Sequence, residues 1–458
     1  MSGQDFGYRQ ELNRTMGGFS SFAVSFSLIS VLTGIFANFN FGFREVGGWL
    51  VWSWSFVAVG QYLIARVMAR LSVRFPIAGY GYQWTARLIN PHFGFFIGWM
   101  LLAQFLTGFP GIAQTAAVAI VGIGGRPVDQ NSVLILTLII ITSVTAVHLW
   151  GIRAAALVND LGVYAELLGV AVIILMLASA LWFISGTGFT NVLYGIQADT
   201  DLRPDAAALA RSLLLGAWCL TGFEAAADLA EETESAQEVV PKAVVRSLIS
   251  ASIAGLLLLS LLTMVAGDLA VAQDQGNPLM EILHSSIGAT ATAVIMVFVV
   301  ISILACAVAS MATASRLLFS MSRDRMLPGS KWLSQVNPRS RTPQSATLTV
   351  WAFSCMAVLL FRRIEIITAV SALATFIGYA GIMYACVRET KGLLPKAAFL
   401  WSLLAVGALA IPETEIAGVV TRHLPAWSAF VVLVAGSAVY VGFVRNKIRT
   451  GKAGPPGM

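Results

Sequence analysis

Apolar residues in this chain do not recur at the period of a surface helix or a half-buried strand. They come in long runs cut by short polar stretches. Twelve runs approach or exceed the ~20 residues that a helix needs to cross hydrocarbon. They cover 19–41, 46–72, 93–123, 132–151, 155–185, 206–230, 243–267, 288–321, 344–362, 364–387, 396–412 and 424–445. We number them as spans one to twelve. Spans nine and ten meet at "RRI" (Arg362 to Ile364), which predicts a tight hairpin. Span eight is too long for a simple crossing and is expected to run past the bilayer. No loop is long enough for a separate soluble domain.

Composition supports the same picture. The chain is 57% hydrophobic and 11% charged, with a mean hydropathy of +0.79. A soluble domain carries about 25% charged residues, so this chain lacks the polar shell that a globule of its size needs. Its apolar excess must face lipid. Basic residues then give sidedness. With both ends cytoplasmic, 22 of the 29 Lys and Arg residues fall on the inner side, as the positive-inside rule requires. One missed span would scramble that asymmetry. The net charge of +6 therefore reads as cytoplasmic retention and gives no sign of a nucleic-acid partner. Basic runs such as "RVMARLSVR" read as contacts to anionic lipid head groups. The four cysteines lie in apolar runs with no CxxC pair, which argues against a disulfide framework or a metal site. The polar N-terminus shows no cleavable signal, so span one is expected to direct insertion. The tail "RNKIRTGKAGPPGM" reads as a flexible basic end.

Two spans carry residues that a continuous helix in lipid does not need. Span one holds "SLISVLTGIFANFNFG" (Ser27 to Gly42) and span six holds "GAWCLTGFEAAADL" (Gly216 to Leu229). Each contains Thr-Gly followed by a bulky apolar residue: Thr33-Gly34-Ile35 and Thr221-Gly222-Phe223. Irregular backbone inside a membrane is tolerated only where it lines a protein-walled cavity. Transporters built on inverted repeats bind substrate at such paired breaks, where half-helix N-termini attract carboxylates and freed carbonyls attract cations. Spans one and six correspond if two five-helix halves are repeated. The alternative is close packing, because glycine is frequent in membrane helices. Periodicity alone does not separate the two.

Three motifs are more specific. They are "VRFPIAGYGYQWTARLINPHFGFFIGW" (Val73 to Trp99), "TGFEAAADLAEETESAQEVVPKAV" (Thr221 to Val244) and "SRLLFSMSRDRMLPGSKWLSQVNPRSRTPQSA" (Ser315 to Ala346). With them the chain resembles the amino acid–polyamine–organocation permeases over nearly its whole length, and most of all their amino acid/choline branch. The resemblance implies an all-α integral membrane protein with 12 transmembrane helices. They would form a 5+5 inverted repeat in a leucine-transporter-like fold, plus two C-terminal helices. The corresponding division is a cytoplasmic segment 1–18, a ten-helix core 19–387 with repeats at about 19–185 and 206–387, helices eleven and twelve at 396–445, and a cytoplasmic tail 446–458. Three departures stand out. Many relatives have Gly-Ser/Thr-Gly in helix one where this chain has Leu32-Thr33-Gly34. Arg323-Asp324-Arg325 replaces Arg-Asp-Gly. Helix five lacks the Lys of some proton-coupled relatives; its nearest match is Ala165, beside Glu166.

The resemblance implies a substrate site at mid-membrane. Ser30, Thr33 and Gly34 of helix one and Thr221, Gly222 and Phe223 of helix six would form it. Trp218 would offer its ring face to an amine. Gln104 of helix three and Cys306 of helix eight would face the same space, near Thr107, Ser302 and Ser310. Glu166 and Glu224 are the acids placed well inside spans, where an acid is costly and points to function; they are the ion-coupling candidates. Glu224 would start the cytoplasmic half of helix six, and the acids after it would pair with basic loops following helices two and eight. Ser310 with Thr313 offers a weak sodium signal, so protons are the favoured coupling ion. His148 and His284 sit at helix ends and suggest no metal. No catalytic residue and no cofactor is expected.

The expected function is a secondary active transporter in the cell membrane. It would import an amino acid or related small amine by alternating access. The alternatives are a choline or polyamine carrier or exchanger, and, from another class, a transporter-like sensor or a channel. No charged ring or filter-like repeat favours a channel, and no paired carboxylates or clustered His or Cys favour an enzyme.

Overall fold

A computed structural model describes residues 6–123, 129–183, 204–266, 278–360, 364–410, 413–416, 419–422 and 424–457. The tight hairpin expected at Arg362–Ile364 falls largely outside them, as do Arg126 and Arg203. Every one of the twelve predicted spans carries helix. Nine stretches among the described residues are long and apolar enough to cross a membrane. The first, Gly18–Arg74, holds spans one and two, and the shorter apolar helices Ala206–Cys219 and Gln344–Leu360 take the places of spans six and nine. The protein is a multi-pass, nearly all-helical membrane protein.

Local chemistry sets several helix starts. Asn90 accepts a bond from the Phe93 amide at 2.8 Å, with Pro91 as the first helical residue of span three, Pro91–Gly122. Asp129 caps span four through Ser132 (2.8 Å), and Asp205 caps span six through Ala208 (2.6 Å). Each side chain satisfies an amide that the helix leaves without a partner. One element was not expected. Glu413–Ile416 and Val419–Arg422 form a short antiparallel hairpin between spans eleven and twelve, Glu413 opposite Arg422. Its Ile, Val and Thr residues suit a strand better than a helix end.

Burial sorts the spans into an inner and an outer set. The most apolar windows of spans three and ten are 72% and 78% buried within the protein, against 17% for span twelve. Span three packs on spans eight and ten, span two on seven, and the first half of span one on spans five and seven. Trp54 of span two packs against Gly255 of span seven and donates to the Ser252 carbonyl at 3.0 Å. A β-carbon at Gly255 would meet the ring at 2.1 Å, so that close approach is possible only with glycine.

The end of the bundle that carries both termini is tied by charge. Arg316 pairs with Glu232 at 2.7 Å with both side chains essentially unexposed, and Arg323 pairs with Glu231 at 2.8 Å. Glu231 also accepts from the Ala78 amide, and Asp228 accepts from the Gly79 amide at 2.6 Å. So the acids after span six do pair with basic residues, Glu231 with Arg323 just past the expected end of span eight and Glu232 with Arg316 inside it. Arg74, at the end of span two, pairs instead with Glu389 of span ten. Span seven also begins at Ala236, earlier than expected, which shortens the polar loop.

The N-terminal segment is not loose. Thr15 and Met16 donate to the Glu232 carbonyl, and Tyr8 donates to Asp324 at 2.8 Å while its ring lies 3.7 Å from the Arg323 guanidinium carbon. Tyr82 and Gln83 donate to the same carboxylate at 2.8 Å. Burial nonetheless holds the Asp324 carboxyl above the ordinary carboxylate range, against the pull of Arg323 and these donors. The basic tail, expected to be flexible, is docked here too: the Gly454 amide donates to the Asp324 carbonyl at 2.9 Å. Removing one member of a buried ion pair strands the other. Glu232→Gln is therefore expected to lose about 3–5 kcal/mol, while Glu232→Met with Arg316→Leu recovers most of it. Melting of the detergent-solubilised variants checks this order. Glu389→Gln, at the exposed pair, is expected to cost under about 1 kcal/mol.

Candidate functional site

Span one is broken at Ser30. The helix Gly18–Ile29 stops there, Ser30 takes φ 35° and ψ 92°, and Val31–Val46 resumes at once. A positive φ is unusual for a residue other than glycine and is strained. The surroundings stabilise it. The Ser30 hydroxyl lies 3.3 Å from the Thr33 amide, 2.6 Å from the Thr33 hydroxyl and 3.1 Å from the Ser302 hydroxyl. The Ser30 carbonyl accepts from the Gly34 amide. The break thus precedes Thr33-Gly34, the position expected from sequence. Those two residues form the first turn of the resumed helix. Gly34 serves packing: a β-carbon there would lie 2.3 Å from Cys219 Sγ and 2.4 Å from Cys219 Cβ.

Span six breaks where the sequence places it. Its helix ends at Cys219, Gly222 takes φ +100°, and helix resumes only for Ala225–Asp228. A β-carbon at Gly222 would lie 2.6 Å from Leu28 Cγ, so glycine is required by both conformation and space. Neighbours satisfy the freed backbone. Gln61 donates to the Leu220 carbonyl at 2.9 Å. Ser25 donates to the Phe223 carbonyl and accepts from the Ala226 amide. The Thr221 hydroxyl donates back to the Trp218 carbonyl.

A fully buried acid stands at each break. Glu224 accepts from the Gly222 amide (3.0 Å), the Tyr379 hydroxyl (2.7 Å) and, at 3.5 Å, Gln104 Nε2. Glu166 of span five faces the span-one break. Its carboxylate is directed at the hydroxyls of Ser30 and Ser302 and the amides of Val31 and Leu32, yet neither oxygen closes a hydrogen bond. Neither acid belongs to any ion pair found among the described residues.

Between the two breaks lies a cavity of ≈ 30 Å³, room for only one or two waters. Of the residues predicted for the site, Thr33, Gln104, Trp218, Thr221, Gly222 and Cys306 line it. Ser30, Gly34 and Phe223 do not; they lie behind the wall, and Phe223 packs against the Tyr379 ring at 5.8 Å between centroids. Ser310 lines the cavity, whereas the Thr313 hydroxyl is turned to the Ala309 carbonyl of its own helix. Sequence reasoning missed four contributors: Ser371 and Tyr379 of span ten, Ser25 and Gln61. None belongs to a recognisable motif. An intramembrane tyrosine hydroxyl, which needs a partner, was the one available signal.

Two helices interrupted back to back around one cavity, inside a many-helix bundle, match the architecture of membrane transporters. The comparisons are specific. A family model described as "Amino acid permease" matches residues 16–452, and the chain belongs to that family. It is similar to the amino-acid permease BAT1 of Arabidopsis thaliana, with 26% identity covering 82% of this chain and 78% of that protein. The BAT1 homolog of Oryza sativa is 24% identical over 86% and 81%. The thiamine transporter thi9 of Schizosaccharomyces pombe is 24% identical over 87% and 75%. These relatives are named for transport and none for an enzyme activity. The family carries amino acids or related amines.

If Gly34 is needed only for closeness to span six, Gly34→Ala is expected to lower stability by about 2 kcal/mol through overpacking. Cys219→Gly in the same chain is expected to restore it. Gly222→Ala is expected to lose at least ~1–2 kcal/mol from its left-handed backbone alone, and no change at Leu28 recovers that part. Thermal melting of these variants tests both.

Proposed function

We propose that the protein is a secondary active transporter that carries an amino acid or related small amine by alternating access, with the substrate held at the break between spans one and six. The observation that carries the reading is the shared cavity. Residues from both broken spans and from spans three, eight and ten converge on one small cavity of mixed polar and apolar lining, with two buried acids that lack an ion-pair partner among the described residues. The cavity is too small for any such solute, so it corresponds to a contracted stage of the cycle. Spans one to five and six to ten form the two repeats, and spans eleven and twelve lie outside them. The termini are cytoplasmic, where the positive-inside bias puts them, and the membrane is that of the cell.

Glu166 is assigned the ion-coupling role, with the proton as the ion. An intramembrane acid without a cation partner is the usual mark of a proton relay, and the Ser310–Thr313 pair does not converge as a sodium site would. Glu224 is assigned to hold the span-six break and to link it to Gln104. Phe223 serves as packing behind the wall.

The test is uptake into proteoliposomes. Saturable uptake stimulated by substrate on the far side is expected, and Gly222→Ala, the smallest change at the break, is expected to lower it sharply per folded molecule. Non-saturable flux would mean a channel, and binding without flux a sensor. An inward proton gradient is expected to drive accumulation by the native protein. In Glu166→Gln that accumulation is expected to fall at least about tenfold, while exchange without a gradient persists.

A further inference from the structure

Resting on the transporter reading and on Glu166 as its proton carrier, we propose that Glu166 passes its proton to the cytoplasm along the seam between spans one and five. Asp160 is the group that receives it, and Asn159 orients the path. The seam is marked by polar atoms without protein partners. Both oxygens of Glu166, both polar atoms of Asn159, Asp160 Oδ1 and Ser27 Oγ are buried and close no hydrogen bond. Asn159 is 1% exposed, and Glu166 and Ser27 are fully buried. A buried polar group without a partner is costly, and nearly all such groups bond to protein or to ordered water. Six such atoms on two adjacent helices describe a strip that hydration satisfies.

Helical spacing puts the strip in line. Asn159 and Glu166 lie two turns apart on one face of span five, about 10 Å along its axis. Ser20 and Ser27 lie two turns apart on one face of span one, and the Ser20 hydroxyl donates to Asp160 Oδ2 at 2.7 Å, which turns that face toward span five. Asn159 stands beside Asp160 at one end, and Glu166 faces Ser30 and Ser302 at the other. The Asp160 end is the one that carries both termini, because Ile152, the first residue of span five, packs with Met16. Phe19 stacks on Tyr164 at 4.8 Å between centroids, and these exposed rings cover the lipid side of the seam. Val163, fully buried, sits between Asn159 and Glu166 on the same face and interrupts the strip. The path is therefore closed in this contracted stage and opens when the first half of span one moves away. In the step, the Glu166 O–H bond breaks and the proton passes through hydrogen-bonded water to the Asp160 carboxylate, which returns it to cytoplasmic water. Asn159 offers a donor and an acceptor at once and orients that chain. Asp160 belongs to no ion pair among the described residues, so no fixed cation opposes its taking a proton.

The test compares two readouts on the same proteoliposomes of full-length protein. The probe is a mixture of the radiolabelled proteinogenic amino acids with 4-aminobutyrate, and pyranine trapped inside reports proton entry. Losing a positioned proton-transfer group is expected to slow gradient-driven accumulation and the accompanying proton entry at least about tenfold in Asn159→Leu and in Asp160→Asn. Exchange of the same solutes without a gradient is expected to persist in both variants. Asn159→Ser, which keeps a donor and an acceptor, is expected to retain most of the coupled rate. Native accumulation and proton entry in folded Asn159→Leu and Asp160→Asn would overturn the route and leave Glu166 as the carrier. Equal loss of accumulation and exchange would mark the two residues as structural and overturn it too. No gradient-driven accumulation by the native protein would overturn the proton reading and the route together.

Discussion

Backbone amides and carbonyls inside a membrane must find partners, and this requirement organises the molecule. Interrupting a helix in hydrocarbon releases several such groups at once. At span one the interruption is confined to a single residue, Ser30, whose side chain and carbonyl take up the amides of Thr33 and Gly34. At span six the interruption is wider, and neighbours absorb it: Gln61 from span two, Ser25 from span one and Glu224 from within. The two breaks therefore cannot be positioned independently. Ser25 bonds both a carbonyl and an amide of the span-six break, so the first half of span one and the second half of span six form one polar unit.

That unit extends to the basic end of the bundle. The short resumed helix of span six, Ala225–Asp228, leads directly to Glu231 and Glu232. These acids are clamped by Arg323 and Arg316 of span eight, and the Glu232 carbonyl also receives the amides of Thr15 and Met16. Any motion that carries the half-helix away from the cavity must slide or break buried charge pairs and pull on the N-terminal strap. Such interfaces hold one of a few arrangements and do not deform continuously. The ion pairs thus latch the end of the bundle opposite in character to the cavity: one end is held by full charges, while the middle is held by hydrogen bonds to freed backbone.

Much of the fold was legible because lipid imposes a length on each helix. Twelve apolar runs became twelve helical segments, while the caps Asn90, Asp129 and Asp205 that start three of them went unread. The span-six break was legible because glycine is required there by both φ and space, and Glu224 beside it announced an intramembrane acid. The span-one break was misplaced by a few residues for an equally physical reason. Gly34 drew attention, but its requirement is contact with Cys219, whereas the strained position is occupied by a serine that carries its own cap. Sequence shows which residue can adopt a left-handed backbone readily; it does not show when surroundings force one that cannot. The docked N-terminal strap, the docked tail and the role of Tyr379 depend on partners far away in the chain, such as Asp324 and Glu224, and no local pattern encodes them.

The placement of the two acids changes how the substitution in helix five is to be understood. A Lys facing span one would compete with the half-helix N-terminus in sign, since both are positive. Glu166 complements it. The acid faces the amides of Val31 and Leu32 and the hydroxyls of Ser30 and Ser302, and its exchange of a proton would alter how firmly the resumed helix is held at Ser30. Ser30 in turn touches Thr33, which lines the cavity. A charge change at Glu166 therefore reaches the cavity wall through two side chains. The coupling proposed above therefore needs no ion in the cavity itself, because Ser30 stands between Glu166 and a residue of the cavity wall.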